Sequence, residues 1–242
     1  MALCIHFLSS ALPYNALPHI SEASDAPSHL QDLRSLLIKH QVPKAVCIRL
    51  IHKHFGVNEG EAMVTKSLDI PDYGAVSILC PADLATTSGL HGVHYMVDAA
   101  GHLQAYEYLS ASPPNVAGLA AFSEEFSALV VERGLENKFG LKITSDTEFD
   151  QAGWTEIEFA EDRRTIMIPR GFPTPDGDYE LTIETEFHAD PKDDDNQCGH
   201  TRQCTHCSQP SKGHGGGLFV GGRQVDPEAP FYSFFNAVVE VW

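Results

Sequence analysis

Apolar residues recur along this chain with two periods. Leu30, Leu33, Leu36 and Leu37 fall three and four apart, the spacing of one helical face. Ser28 is placed as the N-cap and Gln31 as its capping-box partner, so a helix is predicted over 28–40, ended by Val42-Pro43. Leu119, Phe122, Phe126, Leu129 and Val130 predict a second helix over 116–133, with Gly134 placed to stop it. Phe231, Phe234, Phe235 and Val238 give a third, with Asp226 as cap and Pro227 in the first turn.

Period-two runs fill most of the space between. Over 45–55, strand alternation puts Val46, Ile48, Leu50, His52 and His54 on one face, and Ala45, Cys47, Arg49, Ile51, Lys53 and Phe55 on the other. The first face, being apolar, is expected to look inward and carry the two histidines with it. Asn58-Glu59-Gly60 is a turn, with return strands predicted over 61–68 and 75–80. Segments 91–97 and 102–109 make a hairpin about Asp98-Ala99-Ala100-Gly101. Segments 154–159, 165–168 and 179–187 follow; in the last, Leu181, Ile183 and Phe187 alternate with Glu184, Glu186 and His188, as in a half-exposed strand. A short strand is predicted over 218–220. Residues 1–27 have no period and are expected to lie over the domain as an extended arm. With no repeat and no boundary, 1–242 reads as a single α+β domain: a mostly antiparallel sheet with a few packed helices.

Charge narrows the partners. A net charge of -17 repels nucleic-acid phosphates and anionic membranes, and no Lys/Arg cluster offsets it. A small-molecule substrate is expected, with no nucleic acid and no membrane. No apolar run has the length of a membrane helix, and 2–12 lacks the basic flank of a signal peptide. Cys4, Cys47 and Cys80 are scattered among apolar neighbours, which suits a reducing, cytoplasmic setting.

The densest chemistry lies in the polar segment 189–217. Cys198, His200, Cys204, His206 and Cys207 bring thiolate and imidazole donors into one loop, the donors zinc selects. A loop this long is uncommon unless something pins it, and a bound zinc ion would do so. Alternative readings are free surface thiols or a redox Cys-x-x-Cys pair. A second candidate is His52-x-His54, with Glu59 and Glu61 as further ligands or proton shuttles. His91 and His94 are expected on opposite faces of a strand, and Asp193-Asp194-Asp195 as a solvated acidic loop. Gly213-His214-Gly215-Gly216-Gly217 reads as a mobile lid or a linker. There is no P-loop, dinucleotide fingerprint, nucleophile elbow or HExxH motif.

His52-x-His54 followed by Glu59 resembles the first motif of the cupin family. The resemblance stops there: Val46 stands where a glycine is expected, and no matching second-motif histidine follows Pro169-Arg170-Gly171. His52-Lys53-His54-Phe55, the late Cys/His cluster and the phenylalanine-rich C-terminus together resemble uncharacterised fungal proteins, a likeness that implies specialised metabolism and no particular reaction. The expected function is a small zinc metalloenzyme of hydrolase or lyase type acting on a small organic molecule, since zinc activates water and polarises carbonyls. The alternatives are a non-catalytic small-molecule or protein binding module with a structural zinc, and a non-haem iron oxygenase using His52 and His54.

One outcome follows directly. Protein purified without chelator should carry zinc bound by at least three of Cys198, His200, Cys204, His206 and Cys207. Elemental analysis with thiol titration checks it: substoichiometric zinc, with all three thiols reactive in the native protein, would refute the site.

Overall fold

The structure, a computed structural model, describes residues 14–19, 27–110, 118–144, 154–159, 162–169, 181–189, 203–206, 211–212, 218–220 and 223–241. The expected acidic and glycine-rich loops lie outside these residues.

Three helices are present among them: α1 (Pro27–Lys39), α2 (Ala120–Arg133) and α3 (Pro230–Val241). Gly134 ends α2 in the left-handed conformation, φ 64 and ψ 43, as its position predicts. α1 begins at Pro27, so Ser28 is inside the helix instead of capping it. α3 starts later than predicted because Asp226 folds the preceding turn, accepting a bond from the Glu228 N–H at 3.0 Å.

The strands are β1 (Val46–Leu50), β2 (Glu61–Ile70), β3 (Gly74–Asp83), β4 (Leu90–Val97), β5 (Leu103–Ser110), β6 (Phe139–Ile143), β7 (Trp154–Phe159), β8 (Arg164–Pro169), β9 (Leu181–Glu184), β10 (Glu186–Phe187) and β11 (Gln203–His206). β12 (Ser211–Lys212), β13 (Leu218–Val220) and β14 (Arg223–Gln224) form a separate three-stranded sheet. The large sheet runs β10-β1-β6-β4-β5-β2-β3-β8-β7-β11-β9. Its two outermost strands, β9 and β10, are consecutive segments separated by Thr185 alone, and the Thr185 carbonyl also accepts the Leu50 N–H at 2.8 Å. The run 181–187 therefore links the two ends of the sheet, which is strongly curled round on itself.

The α+β class stands. The sheet is mixed and strongly curled, however, where the residue pattern predicts a mostly antiparallel one: β2–β5 and β7–β11 pair in parallel. Alternation within a strand carries no information about which strand becomes its neighbour. β6 was not anticipated, though it sits between β1 and β4. β11 runs through the segment expected to be a structureless loop.

Helices cover two stretches of the outer face of the sheet. Val46, Ile48, Leu50, Leu141 and Ile143 pack against Leu33, Leu37, Phe122 and Phe126 of α1 and α2. Ile157, Phe159, Ile166 and Ile168 pack against Phe231, Phe234 and Phe235 of α3. Residues between these positions point into the barrel: Cys47 and Arg49 on β1, Lys142 on β6, His94 on β4, Glu156 and Glu158 on β7, Thr165 and Met167 on β8. One end of the interior is apolar, with Ile51, Met63, Leu79, Tyr106 and Met167 packed on Tyr14 and Leu17 of the N-terminal arm. Asn15 clamps that arm in place, its amide exchanging two hydrogen bonds of 2.9 Å with the Val57 backbone.

β6 approaches β4 closely at Gly140, where a Cβ would stand 2.0 Å from the Tyr95 carbonyl oxygen. Backbone cannot swing aside as a side chain does, so Gly140→Ala should destabilise the fold by about 3 kcal/mol. Equilibrium urea unfolding reads this as a lowered midpoint; a wild-type midpoint would mean that the two strands can separate without cost.

Candidate metal centre

The predicted strand over 45–55 stops at Leu50. After it the chain turns, held by the Ile51 N–H donating to the Lys138 carbonyl at 2.9 Å and the Lys53 N–H donating to Pro18 at 2.8 Å. This break corrects the alternation argument for the histidines. Val46, Ile48 and Leu50 face the helices outside the barrel, whereas His52 and His54 fold back inward beside Arg49. Both rings are buried, as expected, but for a different reason.

His52 donates Nδ1–H to the Leu50 carbonyl at 2.8 Å. A carbonyl only accepts, so Nδ1 holds the proton and Nε2 carries the lone pair, which accepts a long bond from Arg49 Nη2 at 3.4 Å. Burial, and then the charges of Arg49 and His54, hold this imidazole well below its usual pKa, which keeps it neutral. His54 donates Nδ1–H to Glu158 Oε2 at 3.3 Å. Burial alone would lower its pKa, but the Glu158 hydrogen bond and the charges of Glu156, Glu158 and Glu107 outweigh it and raise the value.

The two Nε2 atoms converge on Glu156 Oε2, 3.4 Å from His54 and 4.0 Å from His52. Donors about 2.1 Å from one ion are at most about 4.2 Å apart, and about 3.4 Å apart at a tetrahedral edge. His52, His54 and Glu156 therefore present three donor atoms on the scale of a single coordination sphere. Each imidazole has its other nitrogen tied to an oxygen acceptor, the arrangement that orients histidine ligands in metal sites.

The surrounding charge also favours a cation. Glu107, Glu156, Glu158 and Glu186 are all buried with Arg49 and Lys142 beside them, a formal charge of -2 while the histidines are neutral. Arg49 Nη1 binds Glu186 Oε1 at 2.7 Å, and Lys142 Nζ binds Oε2 at 3.1 Å. His94 donates Nδ1–H to Glu107 across the β4–β5 pair, at a bulge that turns it inward, away from the half-buried His91. A further donor group, Cys47, Glu186 and His188, is less suited to a cation, because Arg49 and Lys142 already occupy the Glu186 carboxylate.

No known protein family, curated protein or solved structure matches this chain. The chemistry of the site rests on its own geometry. Among the described residues, no helix is long and apolar enough to cross a membrane.

The other residues singled out from the sequence fall elsewhere. Glu59 is exposed in the turn before β2. Glu61 is bonded elsewhere, pairing with Arg163 Nη2 at 2.5 Å while accepting the Asn58 N–H at 2.7 Å. Cys204 and His206 lie on β11, where Cys204 is the register partner of Glu156. Cys198, His200 and Cys207 lie outside the described residues. Glu156 and Glu158 were missed because they alternate with Ile157 and Phe159, which reads as an ordinary half-exposed strand.

Glu61 has a measurable role of its own. The Arg163 hydrogen bond outweighs the opposing effect of burial and brings its carboxyl from 4.5 down to about 2. Its stabilisation is thus complete above pH 4.5 and is lost as pH falls through about 2. Since the pair is partly exposed, Glu61→Gln should cost no more than about 1 kcal/mol at pH 7. The difference from wild type should shrink steadily in urea melts below pH 4.5; a gap that stays constant down to pH 2 would exclude the ion pair as its source.

Proposed function

We infer that this protein is a mononuclear metal-dependent enzyme acting on a small organic molecule, with the ion held by His52 Nε2, His54 Nε2 and Glu156. The observation that supports this best is the convergence of three donors, and no fourth, among the described residues. Structural zinc sites are closed by four protein ligands, whereas catalytic sites keep a position open for water or substrate. Two imidazoles and a carboxylate suit zinc or iron(II) better than calcium or magnesium. With zinc bound, the centre would activate water or polarise a carbonyl, which is hydrolase or lyase chemistry. With iron bound, the same three ligands would serve an oxygenase. In either case Leu50 and Glu158 fix the rings, and Arg49 balances Glu186 beside them.

The test uses the full chain and Mn²⁺, an ion that avoids thiolates and so leaves the Cys-rich segment out of the measurement. Removing a ligand (His54→Ala or Glu156→Gln) should weaken Mn²⁺ binding at least about 100-fold, and Glu158→Gln about 10–100-fold. Elemental analysis of a Cys204→Ser/Cys207→Ser variant then identifies the native ion at the His/Glu site. Wild-type protein that binds no Mn²⁺, or binds it equally well without His54 and Glu156, would refute the centre.

A further inference from the structure

Arg49 is the largest completely buried side chain among the described residues. A guanidinium has five N–H donors in a plane, arranged so that Nε–H and one Nη2–H lie parallel along one edge. In this barrel the opposite nitrogen is the one already used: Nη1 donates to Glu186 at 2.7 Å. Nη2 donates a long hydrogen bond of 3.4 Å to His52 Nε2, the atom that would face the ion, and an ion taking that lone pair would free the Nη2–H. Nε is buried without a hydrogen-bond partner among the described residues. Nη1 therefore binds the protein's own carboxylate, Nη2 reaches the metal centre, and the Nε–H beside it has donor capacity to spare, with the Tyr106 hydroxyl close to the same guanidinium. A buried donor left unsatisfied is costly, so a group that completes it binds with that advantage.

We propose that the Nε–Nη2 edge of Arg49 is the receptor for a carboxylate on a small organic acid that also coordinates the ion held by His52, His54 and Glu156. The inference rests on the metal reading and names its substrate class. With an ion about 2.1 Å from His52 Nε2, Nη2 is at most about 5.5 Å from it, a gap that a carboxylate bridges with one oxygen on each side. The fork matches a planar carboxylate bidentately. Charge selects the same ligand. A divalent ion brings the interior from a formal -2 to neutrality, after which one negative charge is far less costly to bury than the two of a phosphate. Tyr106 and Tyr14 line the same interior, and burial pushes both phenols up, so they stay neutral and add no charge against an incoming acid.

The experiment titrates the full chain, loaded with Mn²⁺, with glycolate, with its neutral analogue glycolamide and with inorganic phosphate. Water-proton relaxation reads displacement of metal-bound water. Glycolate should bind at least about tenfold more tightly than glycolamide. Arg49→Lys keeps the charge facing Glu186 and loses the fork; with its Mn²⁺ affinity measured alongside and the protein saturated with Mn²⁺, it should lose glycolate affinity by a similar factor. Equal binding of glycolate and glycolamide, phosphate binding tighter than glycolate, or an Arg49→Lys variant with wild-type glycolate affinity would each overturn the proposal while leaving the metal centre intact. Failure of the wild type to bind Mn²⁺ at all would remove both. If Arg49→Lys does not fold, the glycolate–glycolamide comparison on wild type decides.

Discussion

The interior of this barrel is governed by the cost of burying charge. Moving a carboxylate from water into a low-dielectric interior costs several kcal/mol even after relaxation, and only close counter-charge offsets it. Glu186 is held by Arg49 and Lys142, Glu107 by His94, and Glu156 and Glu158 by His54. Each carboxylate thus faces a group that is a cation or can become one. The fold provides the room: Gly140, the register partner of Arg49 on β6, has no side chain, so β6 can lie close against β4 beside a fully buried guanidinium. Outside, the same strands are sealed by leucines and phenylalanines from three helices. Water reaches neither face easily, which makes the interior charges strong and their placement consequential.

The two histidines show how that field divides labour between similar residues. His52 has a carbonyl behind it and a guanidinium beside it, and both conditions favour the neutral ring. His54 has carboxylates on both of its nitrogens, and these favour a positive one. The field that raises His54 is the field a divalent ion would meet at the same Nε2. In the absence of metal the same carboxylates favour a proton on His54, which is why its pKa is raised.

Most elements were legible in the sequence because helical and alternating patterns are local. The hairpin 91–109 and helix α2 with its glycine stop follow from a few residues each. What alternation does not carry is which side of a strand meets water. Glu156, Glu158 and Glu186 alternate with apolar residues as if on a half-exposed surface, yet they face the inside of a closed sheet. The apolar residues face outward, toward helices. For the same reason His52 and His54 were correctly expected to be buried but on a mistaken face, since the strand ends at Leu50. Their carboxylate partner is about a hundred residues away in the chain, and nothing local to Glu59 or Glu61 distinguished them from it.

The Cys/His segment and the interior site are connected by backbone. β11 comes from the cysteine-rich stretch, and it is the strand between β7 and β9. On one side it pairs with the strand that carries Glu156 and Glu158, and on the other with the run 181–187 that closes the sheet onto β1. Without β11, β7 and β9 would both be open edges, and the wall holding two of the four interior carboxylates would lose its neighbour. That wall is also where an acid ligand shared by Arg49 and a metal ion would have to be accommodated. A metal that pinned the segment 189–217 would therefore act on the interior through hydrogen bonds between strands, by keeping the barrel shut around charges that open water would screen.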